Sequence, residues 1–406
     1  MFLSSRVLDL SESVTLKINE KVAKLSSSGQ HVYNLTAGQL PFKPSPEFIH
    51  SLERQLNFLK SYQYSPNAGF EKLRSKVIEK TAQKRDIKFP KGEFDCVLSN
   101  GSKQSIYNVL GALINPGDEV VVITPYWVSY PEMVKLWGGV CTFVKSKTFD
   151  NYTPALEEIE KALTPKTKAI IVNSPNNPAG IHYPEEWMIG FAKLLKKYPD
   201  LVVISDELYS EVSYFDPRPS YFYQHDPELL SQTVIVDGIS KTFACTGLRI
   251  GHCIAPKKIT KAVAKIQSQT TSAPNSLTQR ALEDFDFDLL QNFFDPVKQQ
   301  LRTCAQILRE KFRDHGLSHC WYQTTSAFYC LIDFSRMPFF ESFEAENSKD
   351  KSEEIVEAIF DQIGVALVPG TAFGHPNSAR MSMTLEIAPF EEAMDRLVGF
   401  MAKKSS

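Results

Sequence analysis

The spacing of apolar residues near the start of the chain predicts helices separated by loops. Residues 14–28 carry their apolar side chains at roughly helical spacing, which predicts a short amphipathic helix. The stretch NLTAGQLPFKPSPEF that follows is rich in Pro and Gly, which is typical of a loop. Two further helices are predicted at 45–60 and 70–85, with the loop YQYSPNAG between them.

From about residue 94 the pattern changes to short apolar runs that alternate with helical segments. The runs are rich in Val and Ile, as expected of strands that are buried on both faces of a sheet. Helical periodicity lies between most of them, as at 102–114 and 184–197. The alternation predicts an α/β fold in which a mostly parallel sheet is covered by helices. The predicted strands are 95–99, 119–125, 168–175, 201–207, 233–238 and 249–256.

Polar and aromatic side chains follow five of these strands at the point where each strand ends. In an open parallel sheet, ligands bind at the carboxyl ends of the strands. A lone lysine is ordinarily a solvated surface residue, but Lys241 shares this edge with a series of such groups. We therefore expect a ligand site here, whose members in chain order are Asn100, Gly101, Ser102, Lys103, Tyr126, Trp127, Asn177, Asp206, Tyr209, Ser240 and Lys241.

The C-terminal third of the chain has a different pattern and predicts a second, smaller α/β domain. Helices are predicted at 288–316 and 352–362, and strands at 326–334, 364–370 and 379–388. In the last strand Met381, Met383 and Leu385 share one face and polar residues, including Arg380, share the other, so one side of this sheet is expected to be solvated or to face a cleft.

These patterns divide the chain into three parts. Residues 45–287 are expected to form the large domain that carries the strand-end site, and residues 288–406 the small domain. The segment 1–44 is expected to join the small domain.

Composition and charge narrow the class of protein. The 406 residues are 43% hydrophobic and 23% charged, as in an ordinary globular protein, and the formal net charge of −2 does not favour binding to nucleic acid. No apolar run approaches the roughly 20 residues of a membrane span, and MFLSSRVLDLSESV does not fit a signal peptide. Seven scattered cysteines and eight histidines without zinc-ligand spacing indicate a reduced, cytoplasmic protein with no structural metal.

Two features at the strand-end edge suit a phosphate. A strand leads into Gly101-Ser102 and a helix begins at once, so free backbone N–H groups point at this position. Arg249, eight residues after Lys241, offers a guanidinium, the usual bidentate partner of a phosphate. Each feature also has an ordinary explanation, since the turn could be a plain helix cap and the arginine could form a surface ion pair.

Three further residues suit an aromatic coenzyme that reacts with amines. Asp206 ends the run LVVISD, and a buried carboxylate needs a cationic partner such as a protonated ring nitrogen. Lys241 could form an imine once its ammonium loses a proton, and Trp127 could stack on a ring. A helix cap or salt bridge for Asp206, and core packing for Trp127, remain open alternatives. A phosphate, a pyridine nitrogen and an imine-forming amine together define pyridoxal 5′-phosphate (PLP).

Four motifs, in order along nearly the whole chain, resemble those of the fold-type I, class I/II aminotransferases, and in particular the bacterial aspartate aminotransferase subgroup. They are NPGDEVVVITPYWVSYPEMVKLWGG at 115–139, SPNNPAG at 174–180, SDELY at 205–209 and SKTFACTGLRIG at 240–251. Together they are highly specific, although each alone is weak. The resemblance implies the PLP-transferase fold of type I and a PLP-binding large domain.

The resemblance also assigns roles around the coenzyme. It implies that Lys241 binds PLP covalently and moves the proton, that Asp206 pairs with the ring nitrogen, and that Tyr209 and Asn177 donate to the phenolic oxygen. The residues that it implies around the phosphate and ring face are Gly101, Ser102, Lys103, Arg249, Trp127 and, from the neighbouring subunit, Tyr64, so that a homodimer with shared active sites is expected. Gly238 stands where many relatives carry a phosphate-binding serine, and Ser240 is a weak substitute.

Substrate contacts follow from the same resemblance. Arg380 is implied to hold the substrate α-carboxylate, with the backbone of Gly38 and with Asn177 beside it. Trp127 is also among the implied substrate-binding residues. Lys103 matches a lysine that often binds the distal carboxylate of aspartate or glutamate, although a solvated lysine in a first helical turn is equally open.

The expected activity is therefore that of a PLP-dependent aminotransferase, with aspartate:2-oxoglutarate ping-pong transfer through Lys241 as the favoured substrates. Two departures bear on that choice, because Ser11 stands where some relatives carry a basic residue and GQLPF replaces the usual GEPDF. Another PLP enzyme of this fold, such as an aromatic or kynurenine aminotransferase or a C–S β-lyase, is the main alternative. A PLP-binding regulatory protein and a non-catalytic α/β binding module are weaker ones.

Overall fold

The computed structural model describes residues 2–11, 18, 20, 22, 31–321, 323–338, 340–343 and 350–403. The helix predicted at 14–28 lies outside the described residues except for Ile18, Glu20 and Val22, which are helical. Among the described helices none combines the length and the apolar character that crossing a membrane requires.

A seven-stranded sheet forms the centre of the larger part of the molecule. Its strands are β2 (Phe94–Ser99), β3 (Glu119–Thr124), β4 (Val140–Lys145), β5 (Thr167–Asn173), β6 (Val202–Asp206), β7 (Thr233–Gly238) and β8 (Gly251–Pro256). They lie in the order β2-β8-β7-β6-β5-β3-β4, and only β8 runs antiparallel to its neighbours. The predicted α/β fold with a mostly parallel sheet is confirmed.

Alternate residues of these strands enter two separate apolar layers, one on each face of the sheet. In β3, Val121 and Ile123 pack into one layer, while Val120 and Val122 pack into the other. Because both faces are covered, the strands need no polar alternation, which is why they appear in the sequence as continuous apolar runs.

Helices cover both faces of this sheet and the smaller sheets near the C-terminus. The predicted helices at 70–85, 102–114, 184–197, 288–316 and 352–362 are confirmed, and the one at 45–60 ends early, at Gln55. The described helices are α1 (Ser5–Leu8), α2 (Pro46–Gln55), α3 (Glu71–Arg85), α4 (Ser102–Leu113), α5 (Ser129–Leu136), α6 (Leu156–Ala162), α7 (Glu185–Leu195), α8 (Phe222–His225), α9 (Ile239–Thr242), α10 (Lys257–Ser268), α11 (Ser276–Asp284), α12 (Leu290–Asp314), α13 (Ser352–Ile363) and α14 (Ile387–Met401).

The strand prediction for 379–388 was wrong in its second half. The strand β12 (Ser378–Ser382) pairs with β9 (Tyr329–Asp333) and ends where that partner ends, at the pair Ser382–Tyr329. The chain then turns and enters α14. Both faces of β12 are buried, so the polar face carrying Arg380 is not solvated.

Short strands complete the smaller part of the molecule. The segment predicted at 364–370 forms two strands, β10 (Val365–Ala366) and β11 (Val368–Pro369), and β11 pairs with β12. The strand β1 (Tyr33–Asn34) pairs with β10 in a parallel arrangement. The domain limits at 44 and 287 remain a prediction.

Gly180, in the SPNNPAG loop, lies directly against the first residues of β9. Its φ angle is +72°, and a Cβ atom here would overlap the carbonyl oxygen of Tyr329. The carbonyl oxygen of Gly180 accepts bonds from the backbone N–H groups of Thr325 and Ser326, at 2.9 and 3.0 Å. The loop and the start of β9 are therefore in direct backbone contact at this point.

We expect Gly180→Ala to destabilise the protein far more than Gly117→Ala. Gly117 also has a positive φ, +87°, but a Cβ there meets no atom within 4 Å, so its substitution costs about 1–2 kcal/mol of backbone strain. Gly180→Ala adds the steric overlap, for a further loss of about 2 kcal/mol or more. Chemical denaturation of both variants at one protein concentration measures the difference, and equal losses would contradict the close contact.

Candidate active site

A cavity of ≈ 560 Å³ opens at the carboxyl ends of β3, β5, β6 and β7. Its volume falls within the range of about 300–1,000 Å³ that is usual for ligand pockets. Most of the site residues predicted from the sequence line it, namely Gly38, Ser102, Lys103, Trp127, Asn177, Asp206, Tyr209, Ser240, Lys241, Arg249 and Arg380.

Lys241 lies in α9, the single turn that follows β7, and its side chain is buried in the cavity wall. The residue is 8% exposed, and its Nζ donates a hydrogen bond to the carbonyl oxygen of Gly38. Burial, together with the smaller effect of the positive charges of Arg380 and Arg249, lowers the pKa of Lys241 to about 8. About a tenth of this amine is therefore unprotonated at pH 7, far more than for an ordinary lysine.

Asp206 is the last residue of β6 and is 4% exposed. The Oη of Tyr130 donates to its Oδ2 at 2.5 Å, and the backbone N–H of Leu208 donates to its Oδ1 at 3.3 Å. Burial raises the pKa of Asp206 to about 6, although these two hydrogen bonds oppose the rise. A cationic group in the cavity would hold this carboxyl in its ionised form.

The N-terminus of α4 and the Arg249 guanidinium form a basic corner of the cavity. The backbone N–H groups of Ser102 and Lys103 have no acceptor among the residues that the structure describes. Arg249 donates from Nη2 to the carbonyl oxygen of Asn100, at 3.2 Å, so its guanidinium lies against the turn before α4. A helix N-terminus beside an arginine suits a phosphate.

Two glycines make this corner possible. A Cβ at Gly101, whose φ is +82°, would overlap the Arg249 guanidinium, and a Cβ at Gly251 would overlap the backbone of Ser102. Gly101 therefore shapes the corner from behind and does not itself line the cavity. This explains the close approach of β8 to the start of α4.

Arg380 of β12 reaches the cavity from the small sheet. It is 4% exposed, and it donates from Nη1 to Asn177 Oδ1 at 3.1 Å and from Nη2 to the Thr36 carbonyl oxygen at 2.9 Å. Its Nε is buried without a hydrogen-bond partner among the described residues. A buried guanidinium with an unused donor and no carboxylate partner suits an anionic ligand.

The loop that contains Gly38 and Gln39 closes one side of the cavity. Besides the contact of Gly38 with Lys241, the Oγ1 of Thr246 donates to Gln39 Oε1 at 3.2 Å. The GQLPF segment, which departs from the usual GEPDF, is therefore next to the site.

Lys103 and Trp127 form the outer wall. The Nζ of Lys103 is 5.0 Å from the centroid of the Trp127 ring. Burial lowers the pKa of Lys103, and the positive charge of Arg249 has a smaller effect in the same direction. Beyond Lys103 a second cavity of ≈ 490 Å³ is lined partly by Ser11. The backbone N–H of Ser11 donates to Glu132 Oε2 at 3.2 Å.

The cavity residues that sequence reasoning missed include two tyrosines that contact predicted site residues. Tyr130 holds Asp206, and the Oη of Tyr329 is 3.2 Å from the Oη of Tyr209. Both tyrosines sit in apolar-looking stretches, SYPEM and AFYCL, and neither directly follows a strand of the large sheet. Nothing in the local pattern separates them from core aromatics.

Tyr64 and Gly238 do not line this cavity. Tyr64 is 98% exposed, on the loop between α2 and α3. A Cβ at Gly238 would come within 2.9 Å of the Gly251 Cα, so the close packing of β7 on β8 leaves little room for the serine of many relatives. Ser240 does line the cavity.

Sequence comparisons with known proteins identify the family of the chain. The sequence profile described as "Aminotransferase class I and II" matches residues 30–397. The chain is 32% identical to the aspartate aminotransferase of Geobacillus stearothermophilus over all of both chains, and 33% identical to the aspartate/prephenate aminotransferase of Thermus thermophilus over 99% of each.

Solved structures agree as well. The aspartate aminotransferase of Thermus thermophilus with maleate superposes with a TM-score of 0.88 at 32% identity, covering 98% of this chain and 99% of that one. The Thermotoga maritima aspartate aminotransferase superposes with a TM-score of 0.86 at 30% identity, covering 99% of this chain and 100% of that one. The chain therefore belongs to the class I and II aminotransferase family, whose members depend on PLP.

Proposed function

We propose that this aminotransferase exchanges the amino group of aspartate or glutamate with the oxo group of a 2-oxo acid. The observation that carries the proposal is the meeting of Lys241, Asp206 and Arg380 in one buried cavity beside a basic corner. An amine, a carboxyl and a carboxylate-binding guanidinium are the groups that this chemistry requires. The two relatives named above carry aspartate in their names, which agrees with the proposed substrates.

The cavity residues fit PLP. The unpaired N–H groups at the start of α4, with Arg249, suit its phosphate, and the carboxyl of Asp206 suits its ring nitrogen. Tyr209 and Asn177 are the proposed donors to its phenolic oxygen, and Trp127 the proposed stacking partner. When bound, PLP supplies an electrophilic carbonyl carbon and an electron-withdrawing ring.

We assign the proton transfer to Lys241. Its pKa near 8 leaves Nζ able to accept a proton from the substrate Cα and to return it, because the free amine and the ammonium are both populated near neutral pH. Asp206 would favour a protonated ring nitrogen by its charge, and the Tyr130 hydrogen bond fixes the direction of its carboxyl group.

Arg380 orients the substrate. A bidentate contact with the α-carboxylate, helped by the Gly38 backbone and Asn177, fixes the Cα–H bond relative to Lys241. Binding of the acid would replace the contacts that Arg380 now makes with Asn177 and Thr36. Closure of the small domain and of the loop 30–45 over the cavity would then exclude water.

Lys103 is the proposed contact for the distal carboxylate. Its Nζ lies at the outer wall of the cavity, over Trp127, and forms no ion pair with the described residues. A cation in this position favours acidic substrates over the aromatic ones of the main alternative.

A homodimer with shared active sites is part of the proposal. Five large apolar side chains are exposed in and around the loop between α2 and α3, which marks an interface, and they are Leu56, Phe58, Leu59, Tyr62 and Tyr64. We assign Tyr64 to the phosphate of the partner subunit's coenzyme.

The division of the chain at residues 44 and 287 and a reducing, cytoplasmic setting are also proposed. The seven free thiols agree with a reducing setting.

The holoenzyme mixed with single amino acids tests the half-reaction directly. Aspartate and glutamate should bleach the visible colour of the coenzyme and release their 2-oxo acids, whereas Lys241→Ala should do neither on a catalytic time scale. Release of sulfide or a thiol from cystathionine in preference to transamination would favour the lyase instead.

We expect the rate at which PLP binds the apoprotein to reveal the lowered pKa of Lys241. The rate should rise up to about pH 8 and then level off, whereas an ordinary lysine amine would keep gaining reactivity to about pH 10. Arg380→Met should shift the profile to higher pH, because a nearby positive charge is lost, and the distant Arg396→Met should not. A wild-type profile that rises throughout would contradict the account.

Lys103→Met should affect acidic substrates selectively. Loss of a charge-assisted hydrogen bond should raise KM for aspartate and glutamate by about 10- to 100-fold and leave that for phenylalanine nearly unchanged. Lys166→Met, at an exposed lysine elsewhere, is the control. Equal changes for acidic and aromatic substrates would remove Lys103 from the proposed specificity.

Mixed dimers test the role of Tyr64. Tyr64→Ala and Lys241→Ala should each lose most activity, and refolding them together should restore about a quarter of the wild-type value, because half of the dimers would then hold one intact site. Failure of the mixture to gain activity, with dimers present by analytical ultracentrifugation, would contradict the shared site.

A further inference from the structure

Tyr329, the first residue of β9, joins two parts of the site that the sequence assigns separately. It is 1% exposed, and it belongs to the cavity wall. Its ring lies 4.5 Å from the Arg380 Cζ, and its Oη lies 3.2 Å from the Tyr209 Oη. One side chain thus contacts both the proposed carboxylate clamp and the proposed donor to the phenolic oxygen of PLP.

The contact with Arg380 is a cation–π contact, in which the guanidinium lies over the Tyr329 ring. The Phe373 ring lies 5.0 Å from the same Cζ, so two aromatic rings flank the guanidinium, and its Nε has no partner among the described residues. A cation held against aromatic faces keeps its position while its N–H groups exchange protein acceptors for a substrate carboxylate.

The contact with Tyr209 is a hydrogen bond between two buried phenols. Burial raises the pKa of both, so both keep their protons near neutral pH. The positive charge of Arg380 opposes the rise in pKa at both phenols, and the negative charge of Asp206 adds to the rise at Tyr209. The Nζ of Lys241 lies 5.9 Å from the Tyr209 ring. When Tyr209 donates its own proton to a ligand, its oxygen remains free to accept the proton of Tyr329.

The backbone around Tyr329 fixes it in this position. Gly180 packs on its carbonyl oxygen, and a Cβ at Gly38 would lie 3.3 Å from its Oη. In the small sheet Tyr329 is opposite Ser382, two residues from Arg380 on the same strand. Two loops and two strands therefore converge on this phenol, which leaves it little rotational freedom.

We propose that Tyr329 is a positioning residue that couples the Arg380 guanidinium to the Tyr209 phenol, so that carboxylate binding and donation to the coenzyme are held in one geometry. The inference rests on the proposed roles of Arg380 and Tyr209. It assigns Tyr329 no proton transfer to substrate.

Tyr329→Phe tests the phenol contact, because it removes Oη and keeps the ring. Donation by Tyr209 should weaken, so the pH at which the visible spectrum of bound PLP is half titrated should rise by about 0.5 unit. In a Tyr209→Phe background the same substitution should cause no shift. Tyr214→Phe is the matched control, because it removes a buried phenol bonded to Thr324 Oγ1 outside the cavity.

Tyr329→Leu tests the cation–π contact between the Tyr329 ring and the Arg380 guanidinium. It should weaken binding of maleate, a dicarboxylate without an amino group, by about three- to tenfold, while Tyr329→Phe leaves maleate binding nearly unchanged. Thermal melts of Tyr329→Phe and Tyr214→Phe should agree closely, since each loses one buried hydrogen bond.

Failure of the Tyr329 coupling and failure of the proposed function give different results in these experiments. A wild-type protein that binds no PLP would refute the proposed function. A wild-type spectrum that titrates normally, with Tyr329→Phe no different from Tyr214→Phe, would refute only the coupling. An equal shift in the Tyr209→Phe background would also refute it, because Tyr329 would then act on the coenzyme without Tyr209.

Discussion

Removal of water from around the Lys241 ammonium is the constraint on which the rest of the site depends. The amine is nearly buried and shares its cavity with two guanidinium groups, so burial and charge act in the same direction and bring its pKa to about 8. The pKa of Asp206 moves in the opposite direction, up to about 6, for the same reason. Burial favours the neutral form of each group, which is the protonated form of an acid and the deprotonated form of an amine. The same burial thus makes Lys241 a proton acceptor near neutral pH and leaves Asp206 a carboxyl that a nearby positive charge would ionise.

Such a cavity exists because distant segments approach closely enough to bury the side chains of its wall. Backbone contacts that only glycine permits bring β8 to α4 and bring the SPNNPAG loop to β9. Arg380 enters from the small sheet and contacts the large sheet's side through Asn177. In our account substrate binding and the packing of the two sheets are therefore linked, with Tyr329 at the point where they meet.

The sequence predicts the large sheet well because strands buried on both faces leave an unambiguous apolar signal, and the strand-end rule then gathers Lys241, Asp206 and the start of α4. It fails where tertiary contacts decide. The strand β4 escaped prediction because as an edge strand it exposes Val140 and Phe143. The end of β12 is set by the length of β9, which no local pattern encodes. Tyr130 and Tyr329 look like core aromatics until their hydroxyl partners are known.

The most direct measurement of the central claim is reduction of the PLP-loaded protein with borohydride, followed by peptide mass spectrometry. We expect the phosphopyridoxyl group on the peptide that contains Lys241, at about one label for each chain. The Lys241→Ala variant, treated in the same way, should carry no label. A label carried by Lys103 or by surface lysines, or no label at all, would contradict the claim that the buried amine of Lys241 holds the coenzyme.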